Sequence, residues 1–296
     1  MSNEETHSVG VIGQGIIGSR VTECLRKAGY RVYVWNRSPR AVPHFLGSPA
    51  EVAHLCKVIQ IFVSTGEALR EVVDAMRSSL DTEHIVINCC TADPASVVAA
   101  GKVVRATGAR FLDAPFTGSK NAAAEGTLVY YVGGDARVLD WARPVLEASS
   151  REILHLGRVG EASVLKLATN MISAATIAVL AEAYGLVTAA GINPEKLEAA
   201  IAENASSSVL TAMKLPQMVA EDYDPHFSLK HMFKDAQYAL SLAKVFEIQL
   251  PTLSATASVM YRSIQRGWGE QDFSVIANRY QGDPVPEEVP ITSGDA

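Results

Sequence analysis

The stretch "VGVIGQGIIGSR", residues 9–20, decides how the rest of the chain is read. A short apolar β-branched run leads into glycines at 13, 15 and 18. An amphipathic segment, "IGSRVTECLRKAG", begins at Ile17 and includes the last of them, and a second strand-like run, "YRVYVW", follows. G-x-G-x-x-G alone is a weak signal, because short glycine patterns arise in ordinary turns; between a strand and a helix it predicts a dinucleotide loop. Gly13 permits the tight turn, Gly15 lets backbone approach a pyrophosphate, and Gly18 permits close packing of helix on strand. The helix N-terminus attracts the anion. Gly13, Gln14, Gly15, Ile16, Ile17 and Gly18 are therefore the expected cofactor-binding loop.

Working outward, strand-like and helix-like segments keep alternating to about residue 156, through "VIQIFV", "ALREVVDAMRSSL", "HIVINCC", "RFLDAP" and "TLVYYVGG". Such alternation predicts an α/β fold, a Rossmann-type doubly wound, mostly parallel sheet covered on both faces. Beyond "LHLGRVG" the strand signals stop, and "NPEKLEAAIAEN", "KHMFKDAQYALSLAKVF", "LPTLSATASVMYRSIQRG" and "DFSVIANRY" read as helices. The expected plan is a nucleotide-binding domain at 1–158, an all-α C-terminal domain at 159–280 joined to it by a long helix, and a Pro-rich, acidic, disordered tail at 281–296.

The second strand ends in "VWNRSPR". A dinucleotide site selective for NAD usually carries Asp or Glu there, to take the ribose hydroxyls and repel a 2′-phosphate. Here Asn36 is neutral, and Arg37, Ser38 and Arg40 offer cationic and hydroxyl donors, which favours NADP(H).

In "EASVLKLATNMISAATIAVLAEAYG", residues 161–185, Lys166 stands in a nearly all-apolar run. It could snorkel from the end of a buried helix, lie near the edge of a membrane span, or act as an ammonium with a lowered pKa in catalysis. The stretch is rich in Ala, Ser and Thr and interrupted by Glu182 and Tyr184, which favours a buried helix over a span. Lys166 and Asn170, four apart, would share one helix face.

With the glycine loop, three further stretches resemble the β-hydroxyacid dehydrogenase family (3-hydroxyisobutyrate dehydrogenase-related). They are "FLDAPFTGSKNAAAEGTL" (111–128), "GRVGEASVLKLATN" (157–170) and "FSLKHMFKDAQYAL" (227–240), the last looking most like the glyoxylate and succinic semialdehyde reductase branch. The resemblance covers nearly the whole chain to about residue 280. It implies Lys166 as catalytic lysine with Asn170 beside it. It also implies Thr117, Gly118, Ser119, Phe227 and Asp235 as substrate-binding residues, and Thr91 and Lys234 as contacts to the cofactor. Thr117 replaces the usual serine, Ala162 stands where glycine is common, and Thr169 where many members have a second asparagine; the role of Lys120 stays open.

The implied activity is NADPH-dependent reduction of a small semialdehyde or keto acid to the hydroxy acid. The alternatives are a 3-hydroxyacid dehydrogenase working oxidatively, an imine reductase, against which Lys166 speaks, and a nucleotide-binding interaction protein with little turnover. The 296 residues are 48% hydrophobic and 20% charged, with a formal net charge of -6, giving no electrostatic reason to expect nucleic acid or an anionic membrane. The four cysteines show no metal spacing, no metal is expected, and the polar N-terminus lacks a secretory pattern. A cytoplasmic homodimer or homotetramer acting on a small carboxylate-bearing carbonyl compound is expected.

Overall fold

The computed structural model of the chain describes residues 8–280, so the predicted tail at 281–296 lies outside the described residues. The chain divides into two compact units, Met1–Ala168 and Thr169–Ala296.

In the first unit, β1 (Ser8–Ile12), β2 (Arg31–Trp35), β3 (Val58–Ile61), β4 (Ile85–Asn88) and β5 (Arg110–Asp113) form a parallel five-stranded sheet in the order β2-β1-β3-β4-β5. Alternate strand residues point to opposite faces. Val9, Val11, Val32, Val34, Ile85, Ile87 and Leu112 enter one apolar cluster with Val21 and Leu25 of α1 (Ile16–Lys27). Ile12, Ile59, Ile61, Val86 and Phe111 enter another with α2 (Pro49–Leu55), α3 (Gly66–Met76) and α4 (Pro94–Ala106). This is the expected doubly wound sheet, buried on both faces. Its order reverses between β1 and β3, so the glycine loop after β1 opens at the switch point where such sheets bind ligands.

The continuation differs in detail from a single sheet. β6 (Phe116–Thr117), β7 (Leu128–Val132) and β8 (Ser150–His155) form a separate three-stranded sheet, with β6–β7 antiparallel and β7–β8 parallel. Only Ala114 and Pro115 separate β5 from β6, too few residues for a parallel crossover. Paired backbone hydrogen bonds between Asp113 and Gly133 join the two sheets. Short α5 (Lys120–Glu125) and α6 (Ala136–Glu147) complete this part. The charged edge of β8, with Arg151 and Glu152 exposed, discourages further strand pairing. All four cysteines are buried, and the adjacent Cys89 and Cys90 enter opposite apolar clusters.

The long helix α7 (Glu161–Ala189) runs unbroken through the point at which the units divide. The second unit adds α8 (Glu195–Ala202), α9 (Val209–Val219), α10 (Leu229–Val245) and α11 (Pro251–Gln265). Its core gathers Ile177, Ala181 and Tyr184 of α7 with Leu215, Met218, Met232, Met260 and Ile276. The stretch read as a helix over "DFSVIANRY" is a 3-10 segment, Phe273–Arg279. α9 has no clear signature in the sequence, because Pro216 interrupts its helical pattern. A reciprocal cap between Ser208 and Thr211 starts it, and the ring falls in its last turns.

Candidate active site

The glycine loop is built around two positions with no room for a side chain. Gly13 has φ of 99°, and a Cβ there would lie 2.0 Å from the carbonyl oxygen of Phe62. A Cβ at Gly18 would lie 1.9 Å from the carbonyl oxygen of Gly13. Gly15 is the opposite case, with nothing within 4 Å of where a Cβ would stand, and it is the N-cap of α1, whose first turn carries no acidic residue. Ile16 is 48% exposed beside it, and Ile17 is half-buried. An open backbone face at an unopposed helix N-terminus fits a pyrophosphate.

Asn36, at the end of β2, braces this loop. The Gln14 N–H donates to Asn36 Oδ1 at 2.9 Å, and Asn36 Nδ2 donates to the Ser38 carbonyl at 2.8 Å. Buried Gln14 is held in turn by a bond from its Nε2 to Thr22 Oγ1 at 3.0 Å. Arg37, Ser38 and Arg40 are exposed on the same loop. The residues present therefore fit a nicotinamide dinucleotide, with Asn36 shaping the loop and Arg37, Ser38 and Arg40 exposed beside it.

Thr91 is half-buried just beyond β4, and Asn88, the last residue of that strand, bonds to the intervening Cys90 (Cys90 N–H to Asn88 Oδ1, 3.1 Å). Thr117 ends β6, Gly118 has φ of 128°, and Ser119 is the N-cap of α5, whose first residue is the half-buried Lys120. Asp113, the final residue of β5, is wholly buried. Its carboxylate accepts from the N–H of Gly160 (3.0 Å), the N–H of Ser163 (3.1 Å) and the Ser163 hydroxyl (2.9 Å). Burial pushes its carboxyl up to about 6, against the opposing pull of the Ser163, Gly160 and Asn88 donors.

Lys166 lies one turn after Ser163 on α7 and is 8% exposed. Asn170, a further turn along the same face, is equally buried and donates from Nδ2 to Asp235 Oδ2 at 2.7 Å. Lys234 Nζ is 3.0 Å from the other oxygen of Asp235 and 5.0 Å from the centre of the Tyr238 ring. Three predicted residues, Asn170, Lys234 and Asp235, thus meet in one cluster of the second unit. Asp235 joins the two helices, its Oδ2 taking the Asn170 amide of α7 and its Oδ1 facing Lys234 of α10.

Phe227 stands beside this cluster's helix, its ring 6.1 Å from that of His231. His231 Nδ1 shares a hydrogen bond of 2.8 Å with Ser228 Oγ; burial, and then the charges of Lys234 and Lys230, hold its pKa below the usual value. The backbone leading to Phe227 is fixed by Asp272, which accepts from the N–H groups of His226 (3.0 Å) and Phe227 (3.2 Å) and pairs with the fully buried Lys214 (2.7 Å).

Thr91 and the turn at 117–119 are placed by separate loops of the first unit. Asp113, Lys214, His231 and Asp272 were not singled out by sequence. A visible signal existed for Asp113, an acid closing an apolar strand inside "FLDAPF", whereas Lys214 and Asp272 are 58 residues apart and show no pattern. The differences from the family pattern at Ala162 and Thr169 are accommodated. Ala162 is buried with its methyl packed toward the bare backbone of Gly133, and the Thr169 carbonyl accepts a local bond from Ser173 Oγ. A groove of about 720 Å³ between α10 and α11 is lined by Phe233, Leu240 and Tyr261 and contains none of the predicted site residues. Among the described residues no group of three or more His, Cys, Asp or Glu is placed to hold a metal.

Comparison with known proteins matches residues 8–157 to the NAD binding domain of 6-phosphogluconate dehydrogenase, and residues 160–280 to the NAD-binding domain of NADP-dependent 3-hydroxyisobutyrate dehydrogenase. The chain belongs to the β-hydroxyacid dehydrogenase family. It is 31% identical to the chloroplastic glyoxylate/succinic semialdehyde reductase 2 of Arabidopsis thaliana, over 92% of this chain and 78% of that one. It is also 31% identical to the cytokine-like nuclear factor N-PAC of Anopheles gambiae, over 90% of this chain but only 49% of that longer protein. Among solved structures, the 3-hydroxyisobutyrate dehydrogenase of Mycobacterium tuberculosis with L-serine superposes with a TM-score of 0.85 at 24% identity, covering 93% of this chain and 99% of that one. β-Hydroxyacid dehydrogenases are NAD(P)-dependent oxidoreductases acting on CH–OH groups. The Rossmann-type sheet and the helical second unit described above are the fold expected of one.

Proposed function

We propose that this β-hydroxyacid dehydrogenase reduces a small carboxylate-bearing semialdehyde or keto acid, such as glyoxylate or succinic semialdehyde, with NADPH. The observation that carries the reading is the buried pair Lys166 and Asn170 on one face of α7, with the Asn170 amide oriented by Asp235. The similarity to the Arabidopsis reductase supports the substrate class. Exposed Arg37, Ser38 and Arg40, with no acid at the end of β2, support NADPH over NADH, as does the NADP-dependent family matched by the second unit.

When bound, NADPH supplies the hydride to the carbonyl carbon. The chain's own task is to meet the negative charge that builds on the carbonyl oxygen. The Lys166 ammonium stabilises that charge and delivers the proton, and Asn170, held from behind by Asp235, orients the lysine or the substrate. Thr117, Gly118 and Ser119 supply hydroxyl and backbone donors to the carboxylate, Phe227 gives the apolar wall, and Thr91 and Lys234 contact the cofactor. The protein is read as cytoplasmic, without a nucleic-acid or membrane partner, and as a homodimer or higher. Leu165, Ile172, Val179 and Leu186, seven residues apart on α7, are 42%, 62%, 59% and 72% exposed and form a stripe suited to burial against a second copy.

A second reading, a nucleotide-binding interaction protein with little turnover, draws on the similarity to N-PAC. The deciding experiment is a panel of aldehyde and keto acids with NADPH and NADH in parallel, followed at the nicotinamide absorbance. Turnover of glyoxylate or succinic semialdehyde with preference for NADPH is expected. Silence across the panel would favour the second reading, and a strong preference for NADH would overturn the role given to Arg37 and Arg40.

A further inference from the structure

An α-helix leaves its first N–H groups without partners, and the usual remedy is a side chain from the residue just before it. The first turn of α7 is served differently. Its donors, the N–H groups of Gly160 and Ser163 and the hydroxyl of Ser163, converge on Asp113, 47 to 50 residues away at the end of β5. Asp113 is tied on its other sides as well. Its backbone exchanges hydrogen bonds with Gly133 at 2.9 and 2.7 Å, and its Oδ1 faces Asn88 Nδ2 at 3.4 Å. Asn88 in turn holds the N–H of Cys90, next to Thr91. One buried aspartate therefore connects β4, β5, the end of β7 and the start of α7 within a single unit, the link to Gly133 after β7 being made by its backbone.

We propose that Asp113 is a positioning residue, whose carboxylate grips the first turn of α7 and so fixes the Lys166 ammonium relative to the loop that carries Thr91. Ser163 precedes Lys166 by three residues, so the gripped Ser163 atoms lie within about 5 Å of the lysine along the helix axis. A local cap would satisfy the same N–H groups but leave the helix free to slide or tilt against the sheet. The long-range cap specifies rotation and height together. Burying a carboxylate is costly, which shows in its raised pKa, and the four donors arranged around it offset that cost. The catalytic consequence rests on the reading of Lys166 as proton donor given above.

The test uses the full-length chain carrying Asp113→Asn or Ser163→Ala, with succinic semialdehyde and NADPH as substrates and amide hydrogen exchange as a readout independent of activity. Asp113→Asn turns an NH₂ group toward the N–H donors. It is expected to speed exchange at residues 160–167 without speeding it in the sheet. It should also lower kcat by about a hundredfold while leaving the KM for NADPH within about twofold, the signature of a misplaced reacting group. Ser163→Ala keeps its N–H and should lower kcat by about fivefold in the same pattern. Unchanged kcat in a folded Asp113→Asn protein would overturn the proposal. So would faster exchange spread evenly over the unit with kcat and KM changing together, which is what general loosening produces. If Asp113→Asn does not fold, Ser163→Ala decides. A wild-type chain silent with both nucleotides would remove the functional reading and with it the catalytic consequence, while the exchange pattern would still decide the anchor.

Discussion

Lys166 is the residue on which the chemistry turns. Replacing it by alanine removes an ammonium without touching the glycine loop, so turnover should fall by about a thousandfold or more while NADPH affinity, read by fluorescence titration, stays within a few-fold. Retained turnover would end its assignment as the acid. Asp113 gives a second prediction, with a sign that can be worked out. Its folded pKa, about 6, lies above the ordinary carboxylate value of 3.8, so between those limits the folded state binds the extra proton. Stability from this group is fully present below about pH 4 and is lost as pH rises through 6. About two units correspond to roughly 3 kcal/mol. Urea midpoints of wild type and Asp113→Asn, compared from pH 4 to 7, should differ in slope over that window, and parallel slopes would refute it. Residues of these two kinds are not equally legible in sequence. Gly13, Gly18 and Lys166 announce themselves because their constraints are local: a turn, a tight contact, a charge in an apolar run. Asp113 shows only as an acid closing an apolar strand; its role stays hidden, because the donors that give it meaning lie some fifty residues away.

Elements follow the same division. The first five strands, α1, α7, α10 and α11 were readable because periodicity and end signals agree over their length. Short α5, α2 behind its proline, and α9 around Pro216 carry too few turns or a contradictory residue, and packing decides them. The loop before α10 depends on a buried ion pair that no pattern reveals. Lys214 and Asp272 are both fully buried, with the ammonium 5.1 Å from the Phe273 ring centre. Lys214→Met would leave the Asp272 carboxylate buried without its cation, at a cost of about 3 kcal/mol in urea unfolding. Because Asp272 also holds the N–H of Phe227, the KM for the carbonyl substrate should rise more than the KM for NADPH. Equal changes in both would show that the pair serves stability alone.

At the scale of the whole molecule, the apolar stripe on α7 predicts assembly. Isolated exposed apolar residues are common, but four at seven-residue intervals make a continuous ridge that a soluble monomer rarely shows. Light scattering after size exclusion should give twice the chain mass or a multiple of it. The double substitution Ile172→Glu and Leu186→Glu should shift the protein to monomer, and an unchanged mass would place any interface elsewhere. The alternation that suggested the first unit and the loss of strand signals that suggested the second were visible in sequence. The stripe was not, because telling a buried apolar residue from an exposed one on a helix apolar nearly all round requires its neighbours.

The placement of the cysteines gives the molecule a clock. All four are buried, Cys89 and Cys90 on opposite faces of the central sheet, and burial pushes the Cys56 thiol up to about 12, leaving it almost no thiolate at neutral pH. A thiol-reactive dye added to the native protein should therefore wait for the sheet to open. The rate at which Cys89 and Cys90 acquire label together reads how often the first unit breathes, independently of any substrate.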